Sequence, residues 1–577
     1  MIGASQILRA TQRVLVFIAA IVATFALIDL GVRAAIRLDP RWDTFMYHLP
    51  FAALRGGLGI PYDLNELMRP RYEGFPFLPH LVQGLLWRLS GTPNATGIMN
   101  FAALGIFLGY SHFLLRARFW VVTLIALSAP LVVIHAACSY VDLFGNCFLA
   151  IAASSCLYLH LFPQQRSRRI FVGGLLGLVF AAWSKYQLVP LVALFTAFYV
   201  VLVVAERDSS LTGSRRRDLL FVAAAVILLS LPYAKNLVVY GNPFWPVRVP
   251  LIGDFFPYAE VGDNNVLQQP PPLRGRSQFI LFLHSILEID HPTSYPDRPR
   301  WIIDQGGAFA AFRSGGFWWV GTLFWLASLS VMLILRGSSR RGWVAVACVF
   351  GVLLFVSVLP QSHELRYYLF LPLTWAAAIG FLYAELQPRW PFSAASFVIA
   401  VLGLFGYMVH ENSIHYKVES LGYIDAAQYW GADRYWSQMS PGKVYCAVDM
   451  MPMPFMMTGP TEREFTVVDR LHEYNCPDDS IVIRLRAPQH ALSGASLVNE
   501  SLAAYRAGKF ADSVSAAERA LHFDPTSAIA YNNICAANLA LEKRPAAIEA
   551  CRNALKLVPD FERARNNLEA ALRPPPH

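Results

Sequence analysis

Charge is scarce in this sequence: 15% of its 577 residues are Asp, Glu, Lys or Arg, against 55% hydrophobic residues and a mean hydropathy of +0.40. A soluble globular chain carries about 25% charged residues, so the composition excludes a soluble protein and makes the bilayer the main solvent. The eight cysteines form no CxxC pair and no Cys/His cluster, which gives no support to a structural zinc site. No small-residue cleavage site follows the first apolar run, residues 14 to 36, so that run is read as a retained helix and not as a signal peptide. Within it Asp29 and Arg33, four residues apart, are expected to pair with each other.

What is present is a series of apolar runs of spanning length, roughly 17 to 25 residues. They fall near 14–36, 97–115, 119–137, 141–162, 170–186, 187–206, 218–235, 316–336, 342–360, 367–386 and 392–410, about eleven spans. The net charge of +9 is carried largely by clusters in alternate loops: Arg9 and Arg13, Arg116 and Arg118, Arg166 with Arg168 and Arg169, Arg215 to Arg217, and Arg336 with Arg340 and Arg341. Short cytoplasmic loops collect such residues, so topology accounts for the basic balance and nucleic acid is not an expected partner. With the N-terminus inside, residues 37–96, 236–315 and everything after about 410 lie on the other face. The chain therefore divides into a membrane domain, 1–410, a small extracytoplasmic α/β segment, 411–492, and a C-terminal all-α module, 493–577.

Residues 44–58 and 77–90 are aromatic-rich and too short to span, and suit helices lying along the interface. Residues 236–315, rich in Pro, Gly, Asn and Asp, read as a long loop or lid. After the last span KVYCAV, REFTVV and SIVIRL read as short strands, and the Met-rich run MMPMPFMM as packing or membrane contact. Cys446 and Cys476 are candidates for a disulfide in an oxidising compartment.

The last ninety or so residues repeat. SLVNESLAAYRAGKFADSVSAAERALHFDP aligns without gaps on AYNNICAANLALEKRPAAIEACRNALKLVP, which puts Pro525 and Pro559, Ala520 and Ala554, and Asn499 and Asn533 each 34 residues apart. That period and pattern resemble tetratricopeptide repeats over about 495–572, with ERARNNLEAAL as a capping helix. The resemblance implies a small concave surface for a peptide or a protein partner, with a purely structural appendage as the alternative.

The first outer loop reads RWDTFMYHLPFAALRGG. An acidic residue directly beyond the first helix, followed by aromatic residues and His, resembles the GT-C glycosyltransferases, which include protein O-mannosyltransferases and aminoarabinose transferases. SYVDLFGN, WSKYQLVP, LPYAKNLVVYGNPFWP and SHELRYYLFLP follow in the order and on the face that the resemblance expects, over residues 13–410. Many relatives carry an adjacent Asp-Glu pair, whereas here Thr44 follows Asp43. The resemblance implies transfer of a sugar from a polyprenyl-phosphate donor to a lipid, glycan or protein acceptor. Such a reaction needs one carboxylate to deprotonate the acceptor and cations to stabilise the leaving phosphate. Asp43 is the candidate base. Lys185, Lys235 and Arg366 are candidate phosphate partners, Tyr47 and His48 candidate substrate contacts, and Asp142 a candidate acceptor contact. A divalent metal on Asp43 or Asp142 is left open. For Arg366 the bland reading is an ion pair with Glu364 or Glu411. Competing functions are an O-antigen-ligase-like transferase and a non-catalytic scaffold displaying the repeats. A transporter is disfavoured, since the ionisable residues gather at one face and no inverted repeat is visible.

Overall fold

The computed structural model describes residues 4–36, 38, 43–58, 64, 68–205, 214–248, 255–259, 275–289, 301, 315–336, 340–388, 391–411, 440, 442–449, 465–469, 476, 479–484, 494–523, 527–557 and 561–573. Among these, eight helices are long and apolar enough to cross a membrane: Ala10–Ile36, Asp142–Leu161, Tyr186–Val204, Arg215–Tyr240, Trp319–Arg336, Arg340–Ser357, Leu365–Leu386 and Ser393–His410. The chain is a polytopic helical membrane protein.

Three of the eleven expected spans differ from that pattern. Ile98–Phe113 and Arg168–Ala182 have 16 and 15 residues, which at 1.5 Å per residue reach about 24 and 22 Å, short of a hydrocarbon core of about 30 Å. The run 119–137 is broken into Phe119–Leu127 and Pro130–Ala136, which meet at 96°. Pro130 has no N–H with which to continue the first helix and is preset to open the second. Ser128 bonds back to the carbonyls of Leu124 and Ile125 at 2.8 and 3.0 Å, which closes the first helix.

Asp142–Leu161 and Leu365–Leu386 are the interior of the bundle, each 83% buried, whereas Ala10–Ile36 and Arg215–Tyr240 are 17% buried. The outer helices leave large apolar side chains exposed, among them Phe17, Phe25, Leu220 and Val238, as lipid contact requires. The expected Asp29–Arg33 pair forms at 2.5 Å. At one end of the bundle the basic loops meet: His160 lies 3.2 Å from the Arg341 carbonyl, and Arg336 stacks over Phe162 and pairs with Glu385 at 2.7 Å.

The short segments after the first span are Thr44–His48, Leu49–Gly56 and Leu78–Ser90. The last two cross where Gly56 meets Gly84; a Cβ on Gly56 would lie 2.6 Å from the Gly84 carbonyl oxygen. Only glycine lets the two backbones approach so closely. In place of the expected loop from 236, the helix continues to Tyr240. The described part of 241–315 includes the helix Gln278–Ile286.

Beyond residue 411, β1 (Tyr445–Asp449) is the centre of a parallel sheet, flanked by β2 (Phe465–Asp469) and β3 (Ile481–Arg484). Cys446 and Cys476 are disulfide-bonded. The Met-rich run lies outside the described residues, as does the side chain of Glu411. The helices Gly494–Arg506, Phe510–Phe523, Ala528–Ala540, Arg544–Leu557 and Glu562–Leu572 each pack on the next. Ala520 and Ala554 are both fully buried. Asn533 donates to the Val498 carbonyl at 3.3 Å and Asn567 to Asn532 Oδ1 at 2.9 Å, so equivalent amides tie each helix to the one a repeat earlier. A second disulfide, Cys535–Cys551, which the sequence reading does not anticipate, joins two neighbouring helices.

Candidate active site

Asp43 leads into the π-helical turn Thr44–His48. The wider winding of such turns re-aims side chains, and they recur at functional sites. Here Tyr47 donates its hydroxyl to Asp43 Oδ2 at 3.1 Å. Burial first, and Asp43 second, push the Tyr47 phenol well above its ordinary range, so it stays a donor at neutral pH.

Across from Asp43 stands the 3₁₀ turn Leu365–Tyr368. Its Arg366 lies 3.8 Å from Asp43 Oδ2 through Nη1 and 3.0 Å from Glu364 Oε2 through Nη2, and it donates from Nη2 to the Tyr367 hydroxyl at 2.8 Å. The Glu364 pair is the bland reading of Arg366, and the structure contains it alongside the approach to Asp43. Asn146 accepts from the Phe370 amide at 2.9 Å and donates to the Asp142 carbonyl at 2.8 Å, which fixes this turn to the start of Asp142–Leu161.

Asp142, in the first turn of that helix, has a side chain with no exposure, and Lys185 reaches its Oδ1 at 2.5 Å. Lys185 sits on extended backbone between two helices (φ −160°, ψ 141°) and lies 4.3 Å from the centre of the Tyr367 ring, to which the Arg366 guanidinium also comes within 4.9 Å. His135 Nε2 faces Asp142 Oδ2 at 4.0 Å while its Nδ1 is 2.7 Å from the Leu131 carbonyl oxygen. The loop before Asp142 is clamped by Asn100, which bonds the carbonyls of Cys138 and Tyr140 and accepts from the Phe144 amide, and by Gln83, which donates to the Ser139 carbonyl at 2.6 Å.

His48 and His80 are both buried, and Nδ1 of the first is 3.0 Å from Nε2 of the second. The His48 ring packs on Tyr47 and Tyr140 at centroid distances of 4.2 and 5.1 Å. Burial holds His48 well below the ordinary histidine range, helped by the neighbouring His80 and by Lys185 and Arg366. Burial also lowers His80, to about 3.

The structure thus brings together Asp43, Tyr47, His48, Asp142, Lys185 and Arg366. It does not bring Lys235 to them. Lys235 lines a separate cavity of about 350 Å³ with Arg55, Tyr72, Glu73, Trp183 and Tyr240. Its Nζ donates to the Glu73 carbonyl at 2.5 Å, and Arg55 donates to the Tyr72 carbonyl at 2.6 Å while stacking on the Tyr72 ring at 4.0 Å. Phe51 stands between cavity and carboxylate cluster, 5.4 Å from the Tyr72 ring and 5.8 Å from that of Tyr47. The helix Arg215–Tyr240 extends past its predicted end and carries Lys235 toward Glu73.

The metal left open on Asp43 or Asp142 does not fit this donor set. Each carboxylate faces a cation, and among the described residues no three His, Cys, Asp or Glu side chains are arranged to hold an ion. The sequence reading missed His80, His135, Tyr140, Arg55 and Glu73. The break at Pro130 was the signal for His135, since a straight span would have buried it in lipid.

No protein-family profile and no curated protein matches the chain. Among solved structures it is similar to ArnT from Cupriavidus metallidurans in the apo state, at 14% identity and a TM-score of 0.46 over 79% of this chain and 86% of that one. It is also similar to ArnT from Cupriavidus metallidurans bound to undecaprenyl phosphate, at 13% identity and a TM-score of 0.45 over 76% and 84%.

Proposed function

We propose that the chain is a membrane glycosyltransferase that moves a sugar from a polyprenyl-phosphate donor to an acceptor outside the cytoplasm. The observation that carries the reading is the pairing of a partly exposed carboxylate, Asp43, with a neighbouring cavity whose two cations, Arg55 and Lys235, donate to backbone carbonyls. Among the described residues neither cation has a carboxylate within ion-pair distance. Lys185 and Arg366, by contrast, are already held by Asp142 and Glu364.

In this reading the donor phosphate enters the cavity, where the guanidinium gives a two-pronged contact and the ammonium a point charge. The sugar extends past Phe51 toward Asp43. The acceptor oxygen or nitrogen attacks the anomeric carbon from the opposite face and gives its proton to Asp43. The bond from that carbon to the phosphate oxygen breaks, and polyprenyl phosphate leaves with its charge stabilised by Arg55 and Lys235. Tyr47 and Arg366 hold Asp43 in place, and Lys185 with Asp142 supports the far wall. We read 495–572 as tetratricopeptide repeats that present a partner or acceptor on the same face, a placement that the two disulfides favour because such bonds persist in oxidising compartments.

The test is transfer of label from a panel of polyprenyl-phosphate sugars in membranes containing wild type or Asp43→Asn at equal expression. The wild type is expected to transfer and Asp43→Asn to lose about 100-fold or more, within the range of general-base contributions. Equal transfer by the variant overturns the role of Asp43.

A further inference from the structure

The two buried histidines are not explained by the chemistry above. His48 ends the π turn that carries Tyr47, and His80 lies on Leu78–Ser90. Their positions follow from the helix crossing: His48 is four residues before Ala52 and His80 four before Gly84, and Gly84 packs on the Ala52 carbonyl. The close approach of the backbones and the ring-to-ring hydrogen bond are therefore neighbouring rungs of one interface, a turn apart. His48 is 1% exposed and its Nε2 is buried with no hydrogen-bond partner. An orphaned buried polar atom is destabilising, and in a native structure each one calls for an explanation, a catalytic role among them.

Resting on the transferase reading, we propose that His48 Nε2 receives a hydrogen bond from a neutral hydroxyl or amine of the acceptor, and that His80 is its positioning residue, accepting from His48 Nδ1–H so that the Nε2 lone pair faces the substrate. Lys185, Arg366 and His135 act on His48, and Arg55 and Lys185 on His80. Positive potential favours a lone pair over an N–H at a buried nitrogen, and Nε2, which has no partner, is the nitrogen this proposal leaves with one. Burial first, and these charges second, keep the pair neutral, so the pair suits an uncharged donor group and not a phosphate.

Two measurements on the full chain test this. In ¹⁵N spectra of ring-labelled protein in lipid nanodiscs, the signal lost in His48→Gln should show the proton on Nδ1; it should change in His80→Leu and survive in His80→Gln, whose amide oxygen can still accept. In the membrane transfer assay with undecaprenyl-phosphate sugars, His80→Leu should lower the rate at saturating donor about tenfold, the equivalent of one lost hydrogen bond, with donor KM unchanged and His80→Gln near wild type. A wild-type His48 protonated on Nε2 overturns the proposal, as does a His80→Leu enzyme of normal rate or one whose donor KM rises with the rate loss. If the tautomer is as stated but the wild type transfers from no donor, the transferase reading fails and takes the substrate contact with it; a wrong tautomer beside active transfer refutes both the His80 assignment and the contact at Nε2 and leaves the transferase reading standing.

Discussion

Replacing Lys185 with Met removes a cation while keeping most of the aliphatic stem that packs beneath it. Asp142 is then left with no exposed side-chain surface and without the ammonium that now sits 2.5 Å away. Deleting one partner of a buried pair costs about 3 to 5 kcal/mol. The carboxylate has one escape, which is to take up a proton; for a carboxyl of ordinary value, about 3.9, this costs about 4 kcal/mol at pH 7. The expected loss at pH 7 is therefore about 3 to 4 kcal/mol, and because protonation becomes easier in acid its ceiling shrinks to about 2 kcal/mol at pH 5.5. Unfolding by SDS in mixed micelles, followed by helical circular dichroism with wild type at the same pH as reference, measures the difference. Lys185→Met/Asp142→Asn removes both charges and should recover most of it, so the pair is strongly non-additive. A loss below about 1 kcal/mol, or one that does not shrink in acid, refutes the view that Asp142 is held dry by Lys185.

Gly84→Ala should force the two short helices apart and cost about 1 to 3 kcal/mol, with transfer falling as in His80→Leu; a variant of wild-type stability and rate would show that the interface has room. His80 has a native value near 3, below the unfolded value of about 6.5, so the unfolded state binds the extra proton between those limits. Its contribution is complete above about pH 6.5 and is lost as pH falls toward 3, by about 2 kcal/mol at pH 5; SDS titration of wild type against His80→Gln at pH 7 and 5 should show the gap narrowing. Lys235→Ala should raise donor KM while leaving His48 and Asp43 chemistry intact, which steady-state transfer at varied donor concentration reads directly. Cys535→Ser/Cys551→Ser opens a bridge of sequence separation 16 and should destabilise the C-terminal helices by about 3 kcal/mol, seen as earlier proteolysis of that region.

Much of this was legible in the sequence because membranes restrict the choices. Apolar length and alternating basic loops mark the spans, and six of the seven candidate site residues meet in space because each sits at the end of a span or just beyond it. Lys235 escaped because hydropathy cannot say where a helix end goes: the sequence suggests that the apolar run stops at 235, but the helix continues to Tyr240 and aims the ammonium at Glu73. His80 was hidden for a different reason. Nothing within PHLVQG signals a partner, since its bond depends on glycines at 56 and 84 meeting across 28 residues of sequence. His135 was concealed by composition, which made 119–137 look like one continuous span and gave Pro130 too little weight.

The two innermost helices are also the least apolar of the eight candidate spans, and they hold Asp142 and Arg366. Helices that carry such charges partition less readily into lipid one at a time, so during biogenesis Asp142–Leu161 is expected to depend on Ile98–Phe113 and Arg168–Ala182, and Leu365–Leu386 on Phe119–Leu127 and Trp319–Arg336, for shelter. Insertion into the membrane and construction of the reactive centre then become one event. A substitution that weakens the shelter is expected to appear first as a chain stalled at the translocon or degraded there, before any mature protein with altered turnover can be isolated.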